Sequence, residues 1–151
     1  MVFTSLVGTM AAVTSSRLAS IEEHAPLIDV AKLLTRTQIG LIVICRHDRT
    51  MVGVLTKSDV VRQMGQCAGG SCQTRAADVM ARQVTFCRPG DQLADVLLKM
   101  QTQDLVHVPV IDAGQKPIGV VNARDALRQL MAEEQYEESL LRNYVMGVGY
   151  Q

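Results

Sequence analysis

The chain has 151 residues and a mass of 16.5 kDa, room for one ordinary domain or two very small ones. Fifteen Lys+Arg balance fifteen Asp+Glu, and the rings number two Phe, three Tyr and no Trp; this argues against a protein that grips a nucleic-acid polymer through phosphate charge or base stacking. A hydrophobic share of 48% excludes wholesale disorder, and with rings so scarce the core must be Val, Leu, Ile, Met and Ala.

The opening stretch MVFTSLVGTMAAVTSS has a mildly apolar middle but no basic n-region, its first positive charge being Arg17. It reads as mature sequence of a cytoplasmic protein. A short strand is expected around Leu18–Ile21, then an amphipathic helix from about Pro26 to Thr37, with Leu27, Val30, Ala31 and Leu34 at i, i+3, i+4 and i+7. Two strands follow around a polar turn, His47-Asp48-Arg49-Thr50, and a second helix starts near Lys57. The longest apolar run, Gly40–Cys45, is strand-sized, so no membrane span is expected.

Beyond the Gly-containing linker Gly65–Ala76 the same order returns. A strand is expected at Val84–Cys87, a helix at Gln92–Thr102 with Leu93, Val96, Leu97 and Met100 on one face, and a strand pair around Asp112–Lys116. A closing helix starts near Ala123 and extends through about Arg142. Sliding the chain by 66 residues lays Leu18–Met64 over Val84–Leu130 without a gap, with eight of 47 positions identical. Each β-α-β-β-α unit has one apolar sheet face and is too small to stand alone, so the copies should pack with pseudo-twofold symmetry. The expected division is 12–66, linker 67–77, 78–131, and a tail at 132–151. In that tail Glu133, Glu134, Glu137 and Glu138 make a charged stripe, and Leu140, Leu141, Tyr144 and Val145, with Leu130 just before it, offer apolar surface for self-docking or a dimer contact.

Of four cysteines, Cys45 and Cys87 lie in apolar strand-like stretches and read as small buried hydrophobes. Cys67 and Cys72 flank Ala68-Gly69-Gly70-Ser71, a spacing open to inert loop thiols, a redox pair or half a metal site whose other half is not evident. No metal ligand set is complete and no nucleophile–base pair is legible, so no enzyme and no metal site is read here.

The most alike segments are GVLTKSDVVRQM (Gly53–Met64) and GVVNARDALRQL (Gly119–Leu130). Thr56 and Asn122 suit N-caps, and Asp59 and Asp125 fall at N3, where a carboxylate answers backbone N–H groups and the helix dipole. The same placement suits a ligand: a carboxylate at a helix N-terminus beside a sheet can accept both hydroxyls of a ribose. Capping and binding remain open from these residues, but the recurrence at one offset in two matching units favours a ligand.

The paired β-α-β-β-α units, the Val108-Pro109-Val110 strand before a turn and the G-h-h-[T/N]-x-x-D helix start resemble a tandem CBS domain pair (Bateman module), over roughly Ala12–Met131. The resemblance is to the stand-alone bacterial CBS-pair proteins, and the closing LLRNYVMGVGYQ is similar to tails in that group. It implies an α+β fold of two pseudo-symmetric repeats with a helical extension. It also implies a non-catalytic sensor that holds AMP, ADP, ATP or S-adenosylmethionine between the repeats, needs no cofactor, dimerises with its own kind and reports to a regulated protein.

Carried over residue by residue, Asp59 and Asp125 would hold ribose hydroxyls in two sites. Thr56 with Ser58, and Asn122 with Arg124, would flank sugar and phosphate. Val54 and Val120 would line the adenine slots, with the turns at Val13-Thr14-Ser15 and Val79-Met80-Ala81. His107, before Val108-Pro109, stands where some members place a phosphate contact; Leu41 is its counterpart. The first repeat has Val43 for Pro109 and Ala12 for Asp78, so unequal sites are expected, the second richer in cationic donors. Arg124 as a solvated helix residue and His107 as a satisfied strand histidine stay open. The alternative function is a ligand-free dimerising scaffold or thiol-redox adaptor using Cys67 and Cys72.

Overall fold

The structure, a computed structural model, describes residues 3–37, 39–66 and 73–145. A 3-10 turn at Val7–Met10 runs into α1 (Ala11–Ser16). The first repeat follows as β1 (Ser20–Glu22), α2 (Leu27–Thr37), β2 (Leu41–Cys45), β3 (Met51–Thr56) and α3 (Lys57–Gly65). A short α4 (Ala76–Val79) leads to α5 (Leu93–Thr102), β4 (His107–Ile111), β5 (Pro117–Asn122) and the long α6 (Ala123–Val145). This is the expected α+β repeat, with the closing helix reaching three residues beyond Arg142.

The apolar run at 40–45 becomes β2 because both of its faces are covered. Ile42 and Ile44 point into the first repeat's own core beside Leu27, Val30 and Leu34 of α2. Leu41, Val43 and Cys45 point the other way and meet Val120 of the second repeat. Period-two alternation therefore builds one repeat core and the seam between repeats from a single strand. In the second repeat Val108, Val110 and Val121 fill the core with Leu93, Val96 and Met100 of α5.

The repeats differ at their first strand. β1 pairs parallel with β2 over three residues. The strand expected at Val84–Cys87 is reduced to one bridge, Cys87 to Val110. Two prolines account for this. In the first repeat Val43 N–H donates to Ala19 O and Glu23 N–H donates to Cys45 O, each at 2.9 and 2.8 Å respectively. The matching donors would be Pro109 and Pro89, which have no N–H. What survives is Cys87 N–H to Pro109 O and Ile111 N–H to Cys87 O, both 2.9 Å.

The segments preceding the repeats are exchanged. Val7 and Met10 complete the core of the second repeat, while Ala76 and Met80 complete that of the first. Val7 N–H donates to Asp91 O and Gly8 N–H to Pro89 O; Ala76 N–H donates to Ala25 O and Ala77 N–H to Glu23 O. Since Asp91 and Pro89 match Ala25 and Glu23 at the 66-residue offset, Val7 matches Ala76 at an offset of 69. The offset returns to 66 by Thr14, which abuts Gly119 as Met80 abuts Gly53. The first copy thus carries three extra residues here, and the pairing of Ala12 with Asp78 is corrected: Thr9 is the counterpart of Asp78. The extra length makes Val7–Ser16 ten helical residues against the four of Ala76–Val79.

The charged stripe on α6 is not wholly solvated. Glu133 straps down the N-terminus: Oε1 accepts from Thr4 N–H at 2.6 Å and Thr4 Oγ1 at 2.7 Å, and Oε2 accepts from Ser5 Oγ at 2.8 Å. These bonds hold its carboxyl at about 2, well below the usual range. Leu130 is buried, whereas Leu127, Met131, Leu140 and Leu141 are exposed. The side chains of Glu137, Tyr144 and Val145 lie outside what is described. Among the described residues no helix is long and apolar enough to cross a membrane.

Candidate functional site

Where β3 runs into α3 the chain opens a cavity of about 600 Å³ between the repeats. The local cause is a reciprocal cap. Asp59 N–H donates to Thr56 Oγ1 at 3.3 Å, and Thr56 N–H donates to Asp59 Oδ2 at 3.1 Å. This satisfies two donors that a helix start leaves open. It does not consume the carboxylate: among the described residues Oδ1 meets Arg62 Nη1 at 3.5 Å, and the Asp59 side chain is 27% exposed on the cavity wall. Capping and a weakly held acceptor oxygen coexist in one residue.

The cavity has an aliphatic side and a polar side. Leu41 and Val54 come from the first repeat, and Val84, Leu105 and Pro109 from the second. The polar lining is Thr56, Lys57, Ser58 and Asp59 from the start of α3, with Gln83, Thr85, Gln103, Asp104 and His107. Two carboxylates, three hydroxyls, an ammonium and an imidazole thus belong to residues that line one space with aliphatic side chains, a donor and acceptor set that suits a polar ligand with an apolar ring, such as a purine riboside.

His107 is tied to the second helix start. Asn122 Oδ1 accepts from Arg124 N–H at 2.9 Å and Asp125 N–H at 3.3 Å, which turns its amide nitrogen toward His107 Nε2 at 3.1 Å. An amide N–H facing Nε2 requires that nitrogen to accept, so the ring is neutral with its proton on Nδ1. Burial and then the Arg17 charge pull the His107 pKa below its ordinary value, against an opposing pull from Asp125.

The second helix start is in a different state. Arg17, one residue past α1, donates from Nε to Asp125 Oδ2 at 2.9 Å and from Nη2 to Asp125 Oδ1 at 3.1 Å. Asp125 is 6% exposed, and Val120 is wholly buried in the seam. The ion pair raises the Arg17 pKa, chiefly through the hydrogen bond and then the Coulombic attraction.

The structure therefore brings Val54, Thr56, Ser58, Asp59, His107 and Pro109 to one cavity. It places the remaining expected residues elsewhere. Thr14 is buried against Gly119, Met80 is buried against Gly53, and Val79 packs on the first core. Val13 is exposed on α1. Arg124 is exposed beside Leu127, Arg128 and Met131 on a separate face of α6, so the cationic donors expected to enrich the second site are dispersed. Sequence reasoning missed Gln83, Leu105 and Lys57 as cavity residues, and Arg17 as the partner of Asp125. Gln83 and Arg17 occupy matching positions at the 66-residue offset, a signal that was available.

Cys45 and Cys87 are buried free thiols, pushed up by burial to about 11 and about 12. The Cys67/Cys72 loop lies outside the described residues.

A family profile for the CBS domain matches residues 10–65 and 76–132. The chain belongs to the CBS domain family. Among curated relatives, arabinose 5-phosphate isomerase KdsD of Salmonella typhi is 32% identical over 115 residues, 76% of this chain and 34% of that one. The Escherichia coli K12 protein of that name is 30% identical over the same shares. The CBS chain spans about a third of the length of these relatives. Among solved structures, the CBS domain pair of protein MJ0100 in complex with 5'-methylthioadenosine and S-adenosyl-L-methionine superposes with a TM-score of 0.72 at 21% identity, covering 85% of this chain and 98% of that one. CBSX2 in complex with AMP superposes with a TM-score of 0.73 at 18% identity, over 87% and 99%. These likenesses establish the fold.

Proposed function

We propose that this CBS pair is a non-catalytic sensor that binds an adenosine-containing ligand (AMP, ADP, ATP or S-adenosylmethionine) in the cavity at the start of α3 and passes the bound state to a partner protein. The observation that carries the reading is the cavity itself: Asp59 lines it with one carboxylate oxygen held, among the described residues, only by a 3.5 Å contact to the exposed Arg62, Thr56 and Ser58 add hydroxyls, and aliphatic side chains come from both repeats. Asp59 would take the ribose diol, Val54 and Pro109 would flank the base, and Lys57 or His107 would meet a phosphate or carboxylate tail. Fold neighbours in complex with S-adenosyl-L-methionine, AMP and, for the cytosolic domain of the Mg2+ channel MgtE, ATP support the ligand class.

Signalling follows from where the walls come from. A ligand touching both repeats favours whichever arrangement it binds more tightly, and shifts the pair by that difference. The receiving surface is the apolar helical exterior, including Val61 on α3, Leu98 on α5 and Leu127 and Met131 on α6, all exposed. A second copy of the chain there would give the homodimer, and a regulated protein would read its change.

Thermal unfolding with AMP, ATP and S-adenosylmethionine tests the proposal. A ligand at a hundred times its Kd should add about 2.7 kcal/mol of stability. Asp59→Ala should remove that gain while keeping a cooperative melt. No stabilisation by any adenosyl compound sinks the reading.

A further inference from the structure

We propose that Arg17 is a built-in occupant of the second helix start, so that the chain takes one adenosyl ligand, in the cavity beside Asp59, and none beside Asp125. This rests on the reading of the first cavity as an adenosyl site. Both oxygens of Asp125 are engaged by the Arg17 fork at 2.9 and 3.1 Å. They are the two acceptors that a ribose diol would need. A guanidinium–carboxylate pair carries charge on both partners, whereas a sugar hydroxyl brings none, so the diol is the weaker competitor. Arg17 also competes from within the chain, at an effective concentration that dilution does not lower.

Burial supports the same conclusion. Asp125 is 6% exposed where Asp59 is 27% exposed, and Val120 is wholly buried where Val54 lies on a cavity wall. The difference is built by the three extra residues that lengthen Val7–Ser16. They lay α1 across β5, with Thr14 seated on Gly119, and deliver Arg17 from its end. In the first repeat the short α4 gives way to an extended Met80-Ala81, and Ala81 bridges Val54 through N–H···O bonds of 2.9 and 3.0 Å. Gln83 then stands where Arg17 stands, and no guanidinium reaches Asp59 from that side.

Isothermal titration with S-adenosylmethionine and with AMP tests this on the full chain. Wild type should take one equivalent, Asp59→Ala none, Arg17→Ala two, and the Asp59→Ala/Arg17→Ala double variant one. Because Arg17→Ala leaves a buried carboxylate unpaired, two further variants keep the test independent of its folding. Gln83→Arg should install the same plug in the first cavity and abolish binding, while Asp125→Ala should leave the single equivalent in place. Two equivalents on wild type, or one equivalent on a folded Arg17→Ala chain, overturn the inference while leaving the first cavity's reading intact. If wild type binds nothing and Arg17→Ala binds one equivalent, the role of Arg17 stands and the first cavity's reading falls. If neither binds, both fall.

Discussion

The starts of α3 and α6 share a spacing and a capping logic, yet the two carboxylates end in different company. Asp59 closes a reciprocal cap with Thr56 and keeps one oxygen edge toward a cavity. Asp125 is capped by Asn122 and clasped by Arg17. The motif residues differ in kind (Thr56 and Ser58 against Asn122 and Arg124), but none of them supplies the guanidinium that clasps Asp125. The difference arises upstream, in how much helix precedes each repeat, and shows that in an exchanged pair each site is shaped by the segment that leads into the other repeat.

The glycines before the motifs give the largest lever on this comparison. A Cβ at Gly53 would lie 2.6 Å from Met80 Sδ and 2.7 Å from the Ala81 carbonyl; one at Gly119 would lie 2.7 Å from Thr14 Oγ1 and 2.9 Å from Thr14 C. Backbone is struck in both cases, so Gly53→Ala and Gly119→Ala should each cost roughly 1–3 kcal/mol or more in urea unfolding. Their effects on ligand should diverge. Gly53→Ala disturbs the Val54–Ala81 bridge on the cavity wall and should blunt the adenosyl-dependent rise in Tm. Gly119→Ala should leave that rise intact, and its loss there would show that the two starts are not separate.

Much of this was legible in the sequence. The 66-residue repeat, the helix faces of Leu27/Val30/Leu34 and Leu93/Val96/Met100, and the hairpins all follow from local periodicity, which the structure keeps. Even the shared turn geometry repeats, with Arg49 and Gln115 both at positive φ, 75° and 65°. What did not follow were relations between segments far apart in the chain. A gapless alignment from Leu18 onward cannot see a three-residue insertion before it. The ion pair of Arg17 with Asp125 spans 108 positions and has no local signature. The lost strand was within reach: Pro89 and Pro109 sit where ladder donors are needed, but the match to Glu23 and Val43 acquires meaning only once the parallel register is known.

The next effect in size separates the partners of the two carboxylates. Arg17→Ala should cost about 1–3 kcal/mol, less than a fully buried pair because the Arg17 side chain is 47% exposed. Arg62→Ala, which removes the 3.5 Å neighbour of Asp59, should cost under about 0.5 kcal/mol, its side chain being 69% exposed. Equal costs in denaturant titrations would erase the distinction. Smaller still is Pro89→Glu, which copies Glu23 into the second repeat. One restored ladder bond is worth about 0.5–1.5 kcal/mol, and the loss of proline's restraint on the unfolded chain offsets about 0.4–1 of it. Stability should therefore hardly change, but the new amide at position 89 should be protected from hydrogen exchange if the register matches that of β1.

The gentlest probe is pH, and the two halves respond in different windows. His107 is neutral in the fold, with its pKa lowered from 6.5, so the unfolded chain binds the extra proton first. Stability should fall as pH drops below 6.5 and stop falling once the folded-state value is passed. His107→Leu, which places the residue of position 41 there, should flatten that limb. Glu133 works at lower pH: its carboxyl is held at about 2 against an ordinary 4.5, so its contribution is complete above 4.5 and drains away as pH falls toward 2. Glu133→Gln should remove only this acid limb and free the Thr4–Ser5 strap, leaving the His107 limb in place. Calorimetry from pH 7 to pH 3 separates the two, because one limb belongs to the ring between the helix starts and the other to the tether that holds the N-terminal segment on α6.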